Sequence, residues 1–111
     1  MRILLSNDDG IQAKGINQLR MDLELVQENE IYVVAPDRER SATGHKITMH
    51  RPLRVKEWSY PESKTKGWAV DGTPADCVKL GLEALLPGPP DLVISGINQG
   101  PNLGTDVLYS G

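Results

Sequence analysis

Residues 1–10 of the chain are MRILLSNDDG, in which a short apolar run is followed at once by polar residues and a glycine. The apolar part, residues 3–5, is continuous rather than alternating, and this favours a strand of a parallel sheet that is covered on both faces. Two later runs have the same form and are also followed by turn-forming residues: IYVVA (31–35) and DLVIS (91–95). These three runs predict the central strands of one sheet.

Apolar residues with helical spacing lie between these runs. One helix is predicted from about residue 15 to residue 28, and a second from residue 74 to about residue 86. The second helix has Thr73 as a plausible N-cap and Pro74 at its first position. Strands that alternate with helices predict an α/β layer structure. The predicted buried faces are Ile16, Leu19, Leu23 and Val26 on the first helix, and Ala75, Val78, Leu82 and Leu85 on the second.

The middle of the chain has a different pattern. Apolar and polar residues alternate over parts of residues 45–70, and a polar stretch with turn formers lies between them. This predicts an antiparallel hairpin inserted into a single domain that spans residues 1–111. The aromatic side chains Trp58, Tyr60 and Trp68 are expected to pack in this hairpin rather than stack on a base, and Cys77 is expected in the core.

Composition and charge exclude several classes of protein. With 39% hydrophobic and 24% charged residues, the 111-residue chain resembles an ordinary globular domain and not a disordered one. Its net charge of -3 argues against a protein that coats long nucleic acids. Residues 38–56, however, hold six basic side chains against one acidic, a net charge of +5, which suits a small anionic ligand.

The single cysteine and the N-terminal sequence indicate the compartment. One cysteine cannot form an internal disulfide framework, and no apolar run approaches the roughly 20 residues that span a bilayer. The first ten residues also lack the pattern of a signal peptide. A cytoplasmic protein that binds neither membranes nor long nucleic acids is therefore expected.

Polar, Gly- or Pro-bearing segments follow all three predicted strands. They are residues 6–10, 36–41 and 96–104. In open α/β sheets, ligands bind in the crevice beyond the carboxyl ends of the strands. The three segments are therefore predicted to meet there and form a site.

The adjacent carboxylates of Asp8 and Asp9 are the most informative residues of these segments. Successive strand residues point to opposite faces, so the two side chains converge only if the strand has ended, and Gly10 permits that turn. Two neighbouring carboxylates repel each other unless a cation neutralises them. With the hydroxyl of Ser41 and the amide oxygen of Asn98 they would form an all-oxygen site, which suits Mg, Mn or Ca. The alternative is a turn that caps the first helix, with Ser41 and Asn98 as ordinary loop residues.

The segment 96–104 contains three glycines, whose backbone N–H groups can approach an anion closely. A helix predicted after Thr105 would point its positive end at the same place. The segment matches neither the Walker A loop nor the dinucleotide fingerprint. Of the two histidines, His50 is expected on the surface of the hairpin, whereas His45 is left open as a substrate contact.

Four motifs together resemble the family of the stationary-phase survival protein SurE, in order and across essentially all 111 residues. They are SNDDG (6–10), APDR (35–38) with Arg40 and Ser41, GTPADC (72–77), and SGIN (95–98) continuing through Asn102 to YSG (109–111). The resemblance implies a Rossmann-like three-layer α/β fold with a mainly parallel sheet, and assembly as a homodimer or tetramer.

The activity that the resemblance implies is that of a metal-dependent 5'-nucleotidase, an acid-type phosphatase that hydrolyses nucleoside 5'-monophosphates and, in some members, other small phosphoesters. One divalent cation, Mg or Mn, would be held by Asp8, Asp9, Ser41 and Asn98, the residues that the strand-end argument also selects. Asp8 and Asp9 would be the catalytic residues. The substrate-binding residues would be Asn98, Asn102, Ser110 and Gly111.

Members of this family are more than twice as long, so the chain is expected to be the N-terminal portion of a longer domain, truncated at its C-terminus. Two alternatives to an enzyme follow. The chain could be a non-catalytic module that binds a nucleotide or phosphate, or its loops could be turns without a metal. Asp8 could also act as base or nucleophile, but aspartyl-phosphate phosphatases place their two acids two residues apart, whereas Asp8 and Asp9 are adjacent.

Overall fold

The structure is a computed structural model that describes residues 1–38, 52–96 and 106–109, the last range by its backbone alone. Within these ranges six strands form one sheet, and helical segments pack on it. The elements are β1 (Arg2–Leu5), α1 (Lys14–Glu24), β2 (Glu30–Pro36), β3 (Val55–Ser59), β4 (Lys66–Val70), α2 (Pro74–Leu80), a π-helical turn (Gly81–Leu85), β5 (Leu92–Ser95) and β6 (Asp106–Tyr109).

The sheet has the strand order β3-β4-β2-β1-β5-β6 and is mainly parallel. β1 runs parallel to β2 and β5, and β2 runs parallel to β4. The three continuous apolar runs are β1, β2 and β5, which confirms the predicted central strands. Their backbone groups are satisfied by neighbours on both sides, as the lack of alternation indicated.

The predicted hairpin is present as β3 and β4, which pair antiparallel from Val55↔Val70 to Ser59↔Lys66. It is more closely integrated than expected, because β4 also pairs with β2 and so extends the main sheet. Residues 45–51 of the predicted hairpin lie outside the described residues.

Helices cover both faces of the sheet, so the predicted three-layer α/β fold is confirmed. On one face, side chains of β1 and β2 such as Leu5 and Val33 form a buried cluster with Ile16 of α1. On the other face, Leu4 and Val34 form a second cluster with Cys77 of α2. Cys77 is fully buried, as predicted. None of the helices in the described part of the chain has the length and apolarity that a membrane crossing requires.

The first helix is shorter than predicted, since α1 ends at Glu24 instead of residue 28. The N–H of Val26 donates to the carbonyl oxygen of Leu23 at 3.3 Å, and the Asn29 amide donates to the same oxygen at 3.0 Å. These bonds satisfy a terminal carbonyl that a longer helix would have used. Val26 is therefore 51% exposed, and the prediction that it lies on the buried face is wrong.

The second helix begins as predicted but changes its buried face. The Thr73 side chain accepts from the N–H of Asp76, and the Asp76 carboxylate accepts from the N–H of Thr73, which forms a capping box. After Leu80 the helix widens into the π-helical turn, closed by a 3.0 Å bond from the Leu86 N–H to the Gly81 carbonyl.

Cys77 and Gly81 face the sheet from this second helix. A Cβ on Gly81 would approach Leu4 Cδ2 at 3.2 Å, so a glycine allows the closest contact with β1 here. Ala75 and Leu82 are exposed, contrary to prediction. Leu82 lies in the π turn, where the extra residue per turn rotates side chains away from a 3.6-residue period. Ala75 lies in the first turn of α2, where the structure buries Cys77 instead.

The helix predicted after Thr105 is wrong, because residues 106–109 form β6. β6 pairs antiparallel with β5, from Ser95↔Asp106 to Leu92↔Tyr109. Without it, β5 would present a row of unpaired backbone groups on that side of the sheet, and pairing satisfies them.

The aromatic residues of the hairpin pack against the sheet and α1, as predicted. Trp68 stacks on Tyr32 of β2, with ring centroids 6.4 Å apart and an interplanar angle of 15°. The guanidinium of Arg20 lies 4.0 Å from the centroid of the Tyr60 ring. Burial raises the pKa of Tyr60 to about 12, so its hydroxyl stays protonated at neutral pH.

Glu24 fastens the hairpin to α1. One oxygen of its carboxylate, Oε2, accepts from Arg20 at 2.9 Å, from Ser63 Oγ at 2.7 Å and from Thr65 Oγ1. Burial raises the pKa of this carboxyl, but the hydrogen bonds from Thr65, Ser63 and Arg20 together outweigh burial and hold the pKa below 4.5. A carboxylate with a lowered pKa stabilises the fold above its unfolded pKa, and that stability disappears as pH falls through the folded pKa.

Glu24→Gln is expected to lower the free energy of unfolding by about 1–3 kcal/mol at pH 7, because the amide removes the charged acceptor from three donors. The difference from the wild-type chain should shrink as pH falls from the unfolded value of 4.5 through the lower folded pKa. Urea denaturation at a series of pH values measures both effects. The matched control is Asp22→Asn, an exposed α1 carboxylate that accepts one bond, from Gln18. An equal loss in both variants would contradict the role of Glu24.

Candidate functional site

β1, β2, β4 and β5 all end at the same end of the sheet, called here the carboxyl end. Three segments leave from it within the described residues of the neighbouring strands: residues 6–10 after β1, 37–38 after β2 and Gly96 after β5. β4 adds a fourth segment, residues 71–73, which the sequence prediction missed because it treated β4 only as part of a hairpin. The predicted convergence of the strand ends is therefore confirmed as far as the described residues extend.

The loop after β1 is fixed at both of its ends. The N–H of Ser6 donates to the carbonyl oxygen of Ile94 in β5 at 2.9 Å. The N–H of Ile11 donates to the carbonyl oxygen of Pro36 in β2 at 2.8 Å. The loop therefore lies across the carboxyl ends of β1's two neighbours, between the segments that carry the other predicted ligands.

Asn7 closes this loop on itself. Its side-chain amide donates to the carbonyl oxygen of Gly10 at 2.8 Å, and its Oδ1 accepts from the N–H of Gly10 at 3.2 Å. Gly10 has a φ of 110°, a value that side-chain-bearing residues rarely adopt. The turn is thus built as predicted around an Asp-Gly pair, but Asn7 was not singled out. The signal for it is an Asn at the start of a polar segment that ends in Gly, because Asn side chains bond nearby backbone groups in turns.

Asp8 and Asp9 project from the closed part of the loop and are both partly buried. The Oδ1 atom of Asp8 is inaccessible to solvent and has no hydrogen-bond partner in the structure as described. Ser6 Oγ, two residues earlier, is also buried without a partner among the described residues. Burying a carboxylate oxygen without a donor costs free energy, and a bound water or cation can offset that cost.

The donor set fits a hard divalent cation. Asp8 and Asp9 offer carboxylate oxygens, and Mg, Mn and Ca bind oxygen ligands. Within residues 1–38 and 52–96, no group of three or more His, Cys, Asp or Glu side chains could hold a metal. The other two predicted ligands, Ser41 and Asn98, are also oxygen donors, and both lie outside these ranges.

The remaining predicted site residues lie outside the described residues, namely Ser41, His45, Asn98, Asn102, Ser110 and Gly111. Their assignment stays a prediction. Ser110 and Gly111 follow β6, which runs from the carboxyl end at Asp106 to the opposite end at Tyr109. The direction of β6 therefore adds no support for their place in the site.

Positive charge lies near the carboxyl end. Arg38 lies two residues after the end of β2, next to Asp37, and Arg54 precedes β3, whose first residue pairs with the last residue of β4. Both side chains are exposed. A backbone hydrogen bond joins the segment after β4 to the residue before β3, since the N–H of Asp71 donates to the carbonyl oxygen of Arg54 at 2.9 Å. These two cations would attract an anionic ligand towards this end of the sheet.

Comparison with known proteins adds independent information. The family model "Survival protein SurE" matches residues 3–111. A protein named 5'-nucleotidase SurE from Pelotomaculum thermopropionicum is 86% identical over 111 residues, which are 100% of this chain and 42% of that protein. A protein of the same name from Desulforamulus reducens is 69% identical over 111 residues, which are 44% of its length.

The solved structure of the SurE protein from Aquifex aeolicus has the same fold. It is 46% identical in sequence with a TM-score of 0.72, and the match covers 94% of this chain and 40% of that one. The chain thus spans about two fifths of the length of the relatives it matches. With a family match over nearly every residue, and with the family's motifs at the strand ends, the chain belongs to the SurE family.

Proposed function

We propose that this chain carries the metal site of a phosphomonoesterase that hydrolyses nucleoside 5'-monophosphates to nucleoside and phosphate. The observation that carries the proposal is the buried Oδ1 atom of Asp8, which has no hydrogen-bond partner among residues 1–38 and 52–96. It lies on a loop tied to the ends of β2 and β5, from which the other predicted ligands leave. The names of the relatives, 5'-nucleotidase SurE, support the reaction class.

The residues proposed to hold the metal are Asp8, Asp9, Ser41 and Asn98. Four oxygen donors of which two are anionic suit Mg or Mn. When bound, a divalent cation supplies Lewis acidity to a phosphoryl group. Asp8 and Asp9 would neutralise the cation and fix its position, and their adjacency favours a ligand role over that of a phosphorylated nucleophile.

The C-terminal residues from 96 onward are proposed to bind the phosphate group. Asn98 and Asn102 can donate amide hydrogens to phosphoryl oxygens, and the backbone N–H groups of the glycine-containing segment 96–104 can do the same. Donors fixed in advance stabilise the charge that develops on the phosphoryl oxygens during bond cleavage. Ser110 and Gly111 are assigned to the phosphate site by the family resemblance alone.

Arg38 and Arg54 are proposed to attract the anionic substrate towards the carboxyl end of the sheet from a distance. Both are exposed and lie by the carboxyl end of the sheet. Their field raises the local concentration of an anion, and salt would screen it. A small anion such as a mononucleotide fits this limited patch better than a polynucleotide does. We also infer that the protein acts in the cytoplasm and assembles as a homodimer or tetramer.

A non-catalytic nucleotide- or phosphate-binding module is the second candidate. The observation that favours it is the length of the chain, about two fifths of that of its relatives. In this second candidate, catalysis needs residues that the longer relatives have beyond the matched two fifths. The two candidates share the metal site and differ only in turnover.

One experiment separates these candidates. Phosphate release from AMP is measured with Mn²⁺ and again with excess EDTA, and Mn²⁺ binding is followed by the shift in melting temperature. The enzyme predicts release that EDTA abolishes, and a metal at 100 times its Kd should stabilise the fold by about 2.7 kcal/mol. Stabilisation without release favours the binding module. If Mn²⁺ gives no stabilisation and no phosphate is released, the result contradicts the metal site itself.

A further inference from the structure

The side chain of Asn7 is not among the proposed ligands, yet it makes the only side-chain hydrogen bonds that span the two aspartates in the described part of the chain. Asn7 is fully buried. Both polar atoms of its amide bond the backbone of Gly10, at 2.8 Å and 3.2 Å. The two residues between them are Asp8 and Asp9, so the amide closes a ring that contains the carboxylate pair.

We propose that Asn7 is a positioning residue that holds Asp8 and Asp9 in the geometry that binds the divalent cation. The inference rests on the proposed function, because it assumes that these carboxylates are metal ligands. Asn7 acts through the backbone and does not touch the metal itself. Its place beside the ligands corresponds to that of the hydrogen-bonding groups that orient ligands in other metal sites.

The electrostatics of the loop explain why such a residue is needed. The two adjacent carboxylates repel each other, and the Asp8 Oδ1 atom receives no hydrogen bond within the described structure. Before the metal binds, repulsion favours an open loop in which the carboxylates separate. The paired bonds between Asn7 and Gly10 oppose this opening, so the cation meets ligands that are already in place.

An amide is the appropriate side chain for this task. The ring needs one donor for the Gly10 carbonyl and one acceptor for the Gly10 N–H, and asparagine carries both on the same carbon atom, Cγ. A carboxylate at this position would lose the donor and add a third negative charge. A serine is shorter and cannot reproduce the pair of bonds.

Asn17 provides a matched control. Its amide donates to the carbonyl oxygens of Ile11 at 3.1 Å and Ala13 at 2.9 Å, so it also bonds the backbone of the β1–α1 connection. These bonds lie after Gly10 and do not span the aspartates. Asn17→Ala therefore removes a similar interaction from the same connection and leaves the ring intact.

The test is a calorimetric titration of the chain with Mn²⁺ alone, at a temperature where circular dichroism shows each variant to be folded. Asn7→Ala and Asn7→Ser are expected to weaken Mn²⁺ binding by about 10–100-fold, the usual effect of losing a residue that orients a ligand. Asn17→Ala is expected to stay within about threefold of the wild-type affinity. The titration needs no catalytic turnover.

The possible results divide clearly. Wild-type-like affinity in the Asn7 variants overturns the inference, and so does an equal loss in Asn17→Ala, which would indicate general loosening of the connection. If Asn7→Ala does not fold, Asn7→Ser decides, and if neither folds the residue is a folding determinant and the proposal fails. Absence of Mn²⁺ binding by the wild-type chain overturns the proposed function as well, whereas unaffected binding in the variants overturns only the inference.

Discussion

Replacing Asp8 with asparagine is expected to abolish metal-dependent phosphate release, with a loss of at least about 10³-fold, because several kcal/mol of Lewis-acid stabilisation depend on the bound cation. Asparagine keeps the size of the side chain but removes the negative charge that binds the metal. The same substitution at Asp9 should have the same effect. Phosphate release from AMP measures it, in the longest form of the protein that shows activity.

The control for these variants is Asp22→Asn, which makes the identical chemical change on the exposed face of α1. It should leave both Mn²⁺ affinity and phosphate release unchanged. The Asp8 and Asp9 variants should also fail to gain thermal stability from Mn²⁺. Full activity in either variant would refute the assignment of the carboxylate pair as metal ligands.

Truncating Leu4 to alanine is expected to cause the largest loss of stability, about 2–5 kcal/mol in the free energy of unfolding. Leu4 lies in the middle of β1 with 0% of its surface exposed. Its methyl groups pack against Gly81, where the π-helical turn begins, so the substitution leaves a cavity between the sheet and this turn.

Urea denaturation measures this loss, and Leu25→Ala is the matched control. Leu25 is 81% exposed just after α1, so its truncation should change stability by no more than about 0.5 kcal/mol. A loss below about 1 kcal/mol for Leu4→Ala would mean that the second face of the sheet is loosely packed. In that case the contact with Gly81 would not determine how α2 lies on the sheet.

The parts of the fold that were predicted from the sequence depend on local signals. Residues 3–5 and 31–35 are apolar without a break, and such runs are typical of strands buried on both faces. Thr73 and Pro74 mark a helix start through side-chain and backbone chemistry that acts within one turn. The position of Asp8 and Asp9 follows from the same logic, because every parallel strand ends on the same side.

The features that were missed depend on contacts distant in the chain. Nothing local to residues 66–70 shows that β4 pairs with β2 as well as with β3, since parallel pairing leaves no turn signal between its partners. The buried face of α2 was assigned by a 3.6-residue period, and the π-helical turn at Gly81 breaks that period. Asn7 did have a local signal, but the sequence analysis interpreted this segment through the carboxylates of Asp8 and Asp9 alone.

The connections of the sheet differ in length between its two ends. At the amino end, the described elements are joined by residues 25–29, 60–65 and 86–91, whereas the carboxyl end has two short connections, residues 6–13 and 71–73, and both of the long ones, residues 37–54 and 96–105. Short joins tolerate few changes, because each one sets the angle at which a helix meets its strand. Under the proposed function, changes in the long connections can therefore alter which phosphoester is accepted, while the amino end of the sheet stays unchanged. Selection experiments that randomise residues 42–52 and keep the proposed ligand Ser41 should thus yield altered substrate preference more often than unfolded protein.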